Sequence, residues 1–316
     1  MNGLSFEKPI IELEERITEL TSFSSERHID LSSEIDKLTA KLEHLKKEIY
    51  GNLSSWQRIQ IARHPQRLYT LDYINMITED FVELHGDRLF GDDKAIVAGF
   101  VKLEKQKVAI IGHQKGRDTN ENIVRNFGCA HPEGYRKALR IMKLAERFRL
   151  PVVILIDTPG AYPGIGAEER GQAQAIAENI RDMFALKIPI VCCVIGEGGS
   201  GGALGIGIAN RVLMLEHSYY SVISPEGCAA ILWKDSNKAK DAAETLRLTA
   251  AELIEFGIID QIIPEPLGGV HKDPDKAADS LKEALVRNLD SLSKYSAAEL
   301  LQGRYDKFRK IGAFLA

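Results

Sequence analysis

Apolar residues Ile10, Leu13, Ile17 and Leu20 recur in steps of three and four, and Leu31, Ile35, Leu38, Leu42, Leu45 and Ile49 resume that spacing after a polar interval. The period puts one apolar stripe on each of two helices, parted by residues 22–30 and folded as a hairpin. Such a pair either packs on a small core of its own or serves as an assembly arm, and the pattern supports both equally. A polar stretch over 51–69 follows, and residues 71–84 return to helical spacing.

From Ala95 onward the pattern changes to apolar runs that alternate with helical periods. Residues 96–103 and 108–113 predict a strand pair, 132–149 a long helix, 151–157 a buried strand, 167–186 a helix and 189–195 another buried strand. Strands over 211–216 and 219–223, a helix opening at Pro225 and a C-terminal helical stretch over 275–301 complete the reading. Strands that are apolar throughout and joined by helices imply an α/β fold, with a parallel sheet covered on both faces. No repeat period and no low-complexity tract interrupts the chain.

Composition narrows the function classes. The 316 residues are 44% hydrophobic and 27% charged, enough to bury a large core, so a disordered tail or a small disulfide-stapled module is excluded. The net charge of −4 gives no general attraction for nucleic acid or an anionic membrane. The longest apolar run, residues 188–195, falls short of the roughly 18 residues of a membrane span, and the acidic start of the chain does not read as a secretory leader. Cys129, Cys192, Cys193 and Cys228 form no C-x-x-C pair, which predicts reduced thiols, a cytoplasmic location and no zinc site.

The most informative segment runs from Ile195 through Gly196, Glu197, Gly198, Gly199, Ser200, Gly201 and Gly202 to Gly205, where a buried strand turns into a helix. Glycines there let a ligand approach bare main-chain N–H groups at a positive helix end, or simply let strand and helix pack tightly. Three functional patterns fit the same letters. Gly196, Gly198 and Gly201 satisfy a dinucleotide-binding G-x-G-x-x-G, with Glu216 downstream as the ribose acid, although the helix before Asn210 is short and glycine-rich. Gly199, Ser200 and Gly201 lie within a nucleophile-elbow G-x-S-x-G, but His217, Asp241, Asp260 and His271 form no companion motif. The third pattern is an oxyanion hole.

Two further turns support the third. Asp157, Thr158, Pro159, Gly160, Ala161, Tyr162, Pro163 and Gly164 follow the preceding strand and emerge at the same sheet edge. Ser224, Pro225, Glu226 and Gly227 follow the next strand; they also read as a helix N-cap with proline in the first helical position. Past Gly202 come Ala203 and Leu204, so no carboxylate sits one turn into the helix as a general base. An anion hole without a protein base suits chemistry in which a substrate or cofactor supplies the base.

Together with these turns, the run from Leu248 to Pro264 resembles the helix and Gly-Leu-Val-Asp-x-Val-Val-Pro ending of the crotonase superfamily. Within it the chain resembles the carboxyltransferase α subunits of bacterial acetyl-CoA carboxylase, further through residues 62–67, 112–117 and 221–233. The likeness implies a crotonase-like spiral of ββα units with an N-terminal helical hairpin and C-terminal helices. It divides the chain into a helical arm over 1–75, a carboxyltransferase core over 76–265 and a helical segment over 266–316. The implied reaction moves a carboxyl group from carboxybiotin on a carrier protein to acetyl-CoA, giving malonyl-CoA for fatty acid synthesis. In such enzymes biotin itself takes the acetyl methyl proton.

Carried onto this sequence, the resemblance makes the N–H groups at Gly201 and Gly202 the oxyanion hole. The biotin cleft is then shaped by Pro159, Gly160, Ala161, Tyr162, Pro163 and Gly164, by Gly198 and Gly199, and by Ser224, Pro225, Glu226 and Gly227. The implied partners are a zinc-containing β subunit in an α2β2 heterotetramer, a biotin carboxyl carrier protein and a biotin carboxylase, with no metal on this chain. Arg117, Arg125, Arg136, Lys137 and Arg140 read as solvated helix charges before CoA or carrier contacts, as do Lys234, Lys238 and Lys240. His113 reads as a hydrogen-bonded structural histidine.

Overall fold

A computed structural model describes residues 3–312. The first two helices, α1 (Lys8–Arg27) and α2 (Ser32–Gly51), form the expected hairpin. Helix α1 continues through the expected break at 22 and ends at His28, whose left-handed φ of 53° reverses the chain. The pair packs on a core of its own: Ile10, Leu42, Tyr50 and Leu53 are buried together with Ile61 from α3 (Ser55–Ala62). Helix α4 (Thr70–Ile77) is shorter than the period over 71–84 predicts. Beyond it, Glu79–Glu83 forms a short edge strand, β1, whose pairing with the open edge of β2 (Ile96–Leu103) is broken by a register shift between Glu79 and Val82.

Strand β2 pairs antiparallel with β3 (Gln106–His113), as expected. The short helix α5 (Thr119–Val124) and the long α6 (Pro132–Arg147) then lead to β4 (Val152–Thr158), which joins β3 in parallel. The helix predicted over 167–186 is two, α7 (Ile165–Glu169) and α8 (Gln172–Ala185), parted by Gly171 at φ 83°. Strand β5 (Ile190–Gly199) is buried along its whole length and passes directly into α9 (Ser200–Leu204). Strands β6 (Arg211–Leu215) and β7 (Tyr219–Ser221) share it: residues 191–194 of β5 pair with β6, and residues 197–199 pair with β7.

The chain continues through α10 (Pro225–Trp233), α11 (Ala239–Leu246), α12 (Ala250–Glu255) and β8 (Gln261–Ile263), which adds to β6 in parallel. The C-terminal stretch is also two helices, α13 (Pro274–Leu292) and α14 (Ala297–Arg309), because Ser296 and Glu299 form a capping box that starts a new one. Alternate β5 side chains serve opposite layers. Cys192 and Val194 join the core under α6 and α8, while Val191, Cys193 and Ile195 join the one under α4 and α13. All four cysteines are unpaired, with Cys192 and Cys193 serving as small buried hydrophobes. No helix among the described residues is long and apolar enough to cross a membrane.

Candidate functional site

The turns after β4 and β5 meet through their main chains. A methyl group on Gly199 would overlap the Pro159 carbonyl, and one on Gly202 would overlap Gly160 and Ala161. Both glycines are required by this close approach. Gly198 packs against the Tyr220 ring, where a Cβ would come within 2.9 Å. Gly201 is different: its nearest neighbour on that face is the Ile176 methyl at 3.8 Å, and it borders a cavity of about 270 Å³ with Ser200, Tyr220, Val222 and Leu253. The rim is apolar and open, with Val222 81% exposed.

Thr158 organises the first turn, its hydroxyl donating to the Gly160 carbonyl at 2.8 Å and accepting from the Gly160 N–H at 3.1 Å. Tyr162 is fixed by its N–H to the Ala130 carbonyl at 3.0 Å and by its ring, 4.0 Å from that of His131. Pro163 and Gly164 lead away into α7, which Gly164 caps. In the third turn the Ser224 hydroxyl accepts from the Gly227 N–H at 3.1 Å and Pro225 opens α10, so the helix-cap reading holds. The β5–β7 pairing sets Ser221 beside Gly199 and brings this turn to the same edge as the others.

Below the turns lies a charge network that no sequence pattern revealed, buried at Lys115, Asp157 and Glu197 and reaching solvent at Arg63 and Glu226. Lys115 Nζ donates to Asp157 Oδ1 at 2.6 Å and to Glu197 Oε2 at 2.7 Å. Asp157 Oδ1 also accepts from the Glu197 main-chain N–H at 2.9 Å, tying the ends of β4 and β5. The other Glu197 oxygen accepts from Arg63 Nε at 2.8 Å and from the Tyr219 hydroxyl at 2.6 Å. Arg63 Nη1 reaches Glu226 at 2.6 Å. Burial pushes the Glu197 carboxyl up, but Lys115 and Arg63 outweigh it and hold the group at about 2. Glu197 is therefore a saturated carboxylate and no general base at neutral pH.

Other expectations resolve differently. Arg136 and Lys137 are not solvated: they pair with Asp87 at 2.8 Å and Asp92 at 2.6 Å in a loop that the helix covers. Arg125 and Arg140 also reach the main chain of neighbouring loops, at Lys94 and Gly86. Arg117 lies over the Tyr69 ring at 4.0 Å and donates to the Arg67 carbonyl at 2.8 Å. Lys234, Lys238 and Lys240 are exposed, as expected. His113 is buried beside the Gly202 main chain, and burial, with the Lys115 charge nearby, drives it down to about 3.

The Ser200 hydroxyl bonds to no described residue, so no nucleophile triad assembles; His217 instead meets Arg58 at 3.0 Å and His271 stacks on His64 at 3.7 Å. Glu216 accepts from the Glu265 N–H at 3.1 Å, which occupies the acid a dinucleotide site would need. Among the described residues no cluster of histidine, cysteine and acidic groups is arranged to hold a metal ion.

Residues 3–312 match the model of a family described as acetyl co-enzyme A carboxylase carboxyltransferase-like. An acetyl-coenzyme A carboxylase carboxyl transferase subunit alpha from Geobacter metallireducens is 58% identical over 311 residues, 98% of this chain and 98% of the relative. The subunit of the same name from Synechococcus elongatus is 55% identical over 312 residues, 99% of this chain and 95% of that one. A transcarboxylase 12S structure with methylmalonyl-coenzyme A bound aligns with a TM-score of 0.58 at 18% identity, over 70% of this chain and 41% of that chain. The P. aeruginosa geranyl-CoA carboxylase beta subunit aligns at 0.56 and 16% identity, over 80% of this chain and 46% of that chain. These likenesses establish the crotonase-like carboxyltransferase fold.

Proposed function

Because this chain belongs to the family of acetyl-CoA carboxylase carboxyltransferase α subunits, we propose that it forms the biotin-facing half of a carboxyl-transfer site. The reaction moves the carboxyl group from carboxybiotin, borne on a carrier protein, to acetyl-CoA to give malonyl-CoA for fatty acid synthesis in the cytoplasm. A zinc-containing β subunit supplies the acyl-CoA side in an α2β2 assembly, and a biotin carboxylase recharges the carrier.

The observation that carries this reading is the asymmetry of the glycine turn. Gly199 and Gly202 are closed against the first turn, whereas Gly201 faces the cavity, leaving one stretch of bare main chain for a ligand. The N–H groups around Gly201 and Gly202 donate to a developing oxyanion, at no cost of reorganisation because the turn is already held by Gly160 and Asp157. Biotin, when bound, supplies the carboxyl group and the proton acceptor. The chain's own residues fit that division: Leu204 stands where a helix carboxylate would act, and Glu197 is locked by Lys115 and Arg63. The exposed side chains of Leu204 and Val222 give the partner subunit apolar surface to cover, which excludes water from the cleft.

The test is the reverse reaction, biotin-dependent conversion of malonyl-CoA to acetyl-CoA, assayed on the chain purified gently with its partners. Turnover that disappears on stripping the co-purifying chain and returns on adding it back is the expected result. Turnover by the stripped chain would overturn the two-subunit reading.

A further inference from the structure

Arg63 belongs to none of the three turns, yet its guanidinium joins two of them. Its Nε donates to Glu197 Oε1 at 2.8 Å, one residue before Gly198. Its Nη1 and Nη2 donate to the two oxygens of Glu226 at 2.6 and 3.4 Å, within the turn that opens α10. Nη2 also donates to the Tyr219 hydroxyl at 3.1 Å, and the group lies over that ring at 5.5 Å. A planar fork can hold two carboxylates in fixed relation; an ammonium group has no such geometry.

The residue is placed by α3, at whose C-terminal end it sits. That helix is anchored on the core: Ile59 and Ala62 are buried against Tyr219, Ala243 and Leu248, and the Ser55 N–H and hydroxyl both donate to the Glu244 carboxylate, at 2.9 and 2.8 Å. The N-terminal segment therefore does more than decorate the core. It carries a cation to a point where two acids face each other, and without that cation Glu197 and Glu226 would repel. The Arg63 side chain also borders a solvent-connected cavity of about 360 Å³, together with Lys115 and Arg117.

We propose that Arg63 is a positioning residue for carboxyl transfer, fixing the width of the cleft between the β5 turn and the α10 turn so that the site is complete only when α3 is docked. The proposal rests on the reading of these turns as the carboxyl-transfer site. In the α–β complex, Arg63→Ala is expected to lower kcat for biotin-dependent malonyl-CoA decarboxylation by about 30-fold or more while KM for malonyl-CoA stays within about twofold. Free guanidinium ion, which can enter the cavity, restores much of the lost rate. Arg63→Lys recovers less, because its charge returns without the fork.

Amide hydrogen exchange provides a readout that does not depend on turnover. Exchange at residues 198–202 and at Gly227 is expected to quicken by about tenfold or more in Arg63→Ala and to slow again with guanidinium. Unchanged exchange, a kcat within about twofold of the parent, or a loss that follows the thermal midpoint without guanidinium rescue would each overturn the positioning role. A parent complex without biotin-dependent turnover overturns the carboxyl-transfer reading instead, and the exchange result still decides whether Arg63 sets the turns.

Discussion

Gly202 rests on the main chain of Gly160, so close that a methyl group at 202 would overlap the Gly160 carbonyl carbon and the Ala161 nitrogen. Gly201, one position earlier, has an open face. Two neighbouring glycines thus do different work, and substitution separates them. Gly202→Ala forces the first two turns apart and is expected to lower stability by about 1–3 kcal/mol, with activity lost in proportion. Gly201→Val fills the face that borders the cavity and is expected to abolish transfer while thermal unfolding stays near the parent's. Melting curves and the malonyl-CoA assay on both variants check the distinction; an active Gly201→Val protein would place the oxyanion elsewhere.

Lys115 is the only cation that touches both Asp157 and Glu197 among the described residues. Lys115→Met leaves two acids buried side by side, at a cost of about 3–5 kcal/mol near neutral pH. The deficit should shrink on mild acidification, since one of the carboxyls can then take up a proton. Urea unfolding of parent and variant at several pH values measures this; a deficit independent of pH would show that the loss is packing and not charge.

The core strands were legible because residues 96–103, 152–158 and 190–199 are nearly unbroken apolar runs, and the turns because glycine and proline punctuate their ends. The charge network was not. Arg63, Lys115, Asp157, Glu197 and Glu226 come from five separate segments, and no period or spacing links them; each merely looks like a charge beside a turn. The same blindness made Arg136 and Lys137 look solvated, since the acids that receive them, Asp87 and Asp92, lie about forty-five residues upstream in an irregular loop. Local pattern records which face of a helix is apolar. It does not record which loop will fold over the polar one.

Acid should weaken the fold in two stages. Burial drives His113 and His271 down from 6.5 to about 3, so both stay neutral in the folded chain while the unfolded chain binds their protons. Their contribution is complete above 6.5 and is lost as pH falls from there toward 3. Glu197, held at about 2 against an ordinary 4.5, adds a loss of the same sign only below 4.5. Between about pH 7.5 and pH 5 the histidines alone act, His217 adding to these two because burial holds it down as well, and the urea midpoint is expected to fall. His271→Phe, which keeps a ring against His64, should flatten part of that slope; an unchanged slope would remove His271 from the account.

Arg304 ties the C-terminal helices to the sheet with a buried charge that forms no ion pair with a carboxylate among the described residues. From α14 its guanidinium donates to the carbonyls of Met183 at 2.6 Å, Leu186 at 2.8 Å and Ile188 at 2.9 Å, and to Asn210 Oδ1 at 2.7 Å. Burial lowers it to about 10, still protonated at neutral pH. It closes the C-terminal end of α8 and the entry to β5, at the opposite end of the strand from the glycine turn. Arg304→Met leaves those acceptors unsatisfied and is expected to cost about 2–4 kcal/mol. The glycine turn is untouched, so turnover per folded molecule below the melting range should match the parent. A fall in kcat without a fall in melting temperature would mean that the two ends of β5 are coupled.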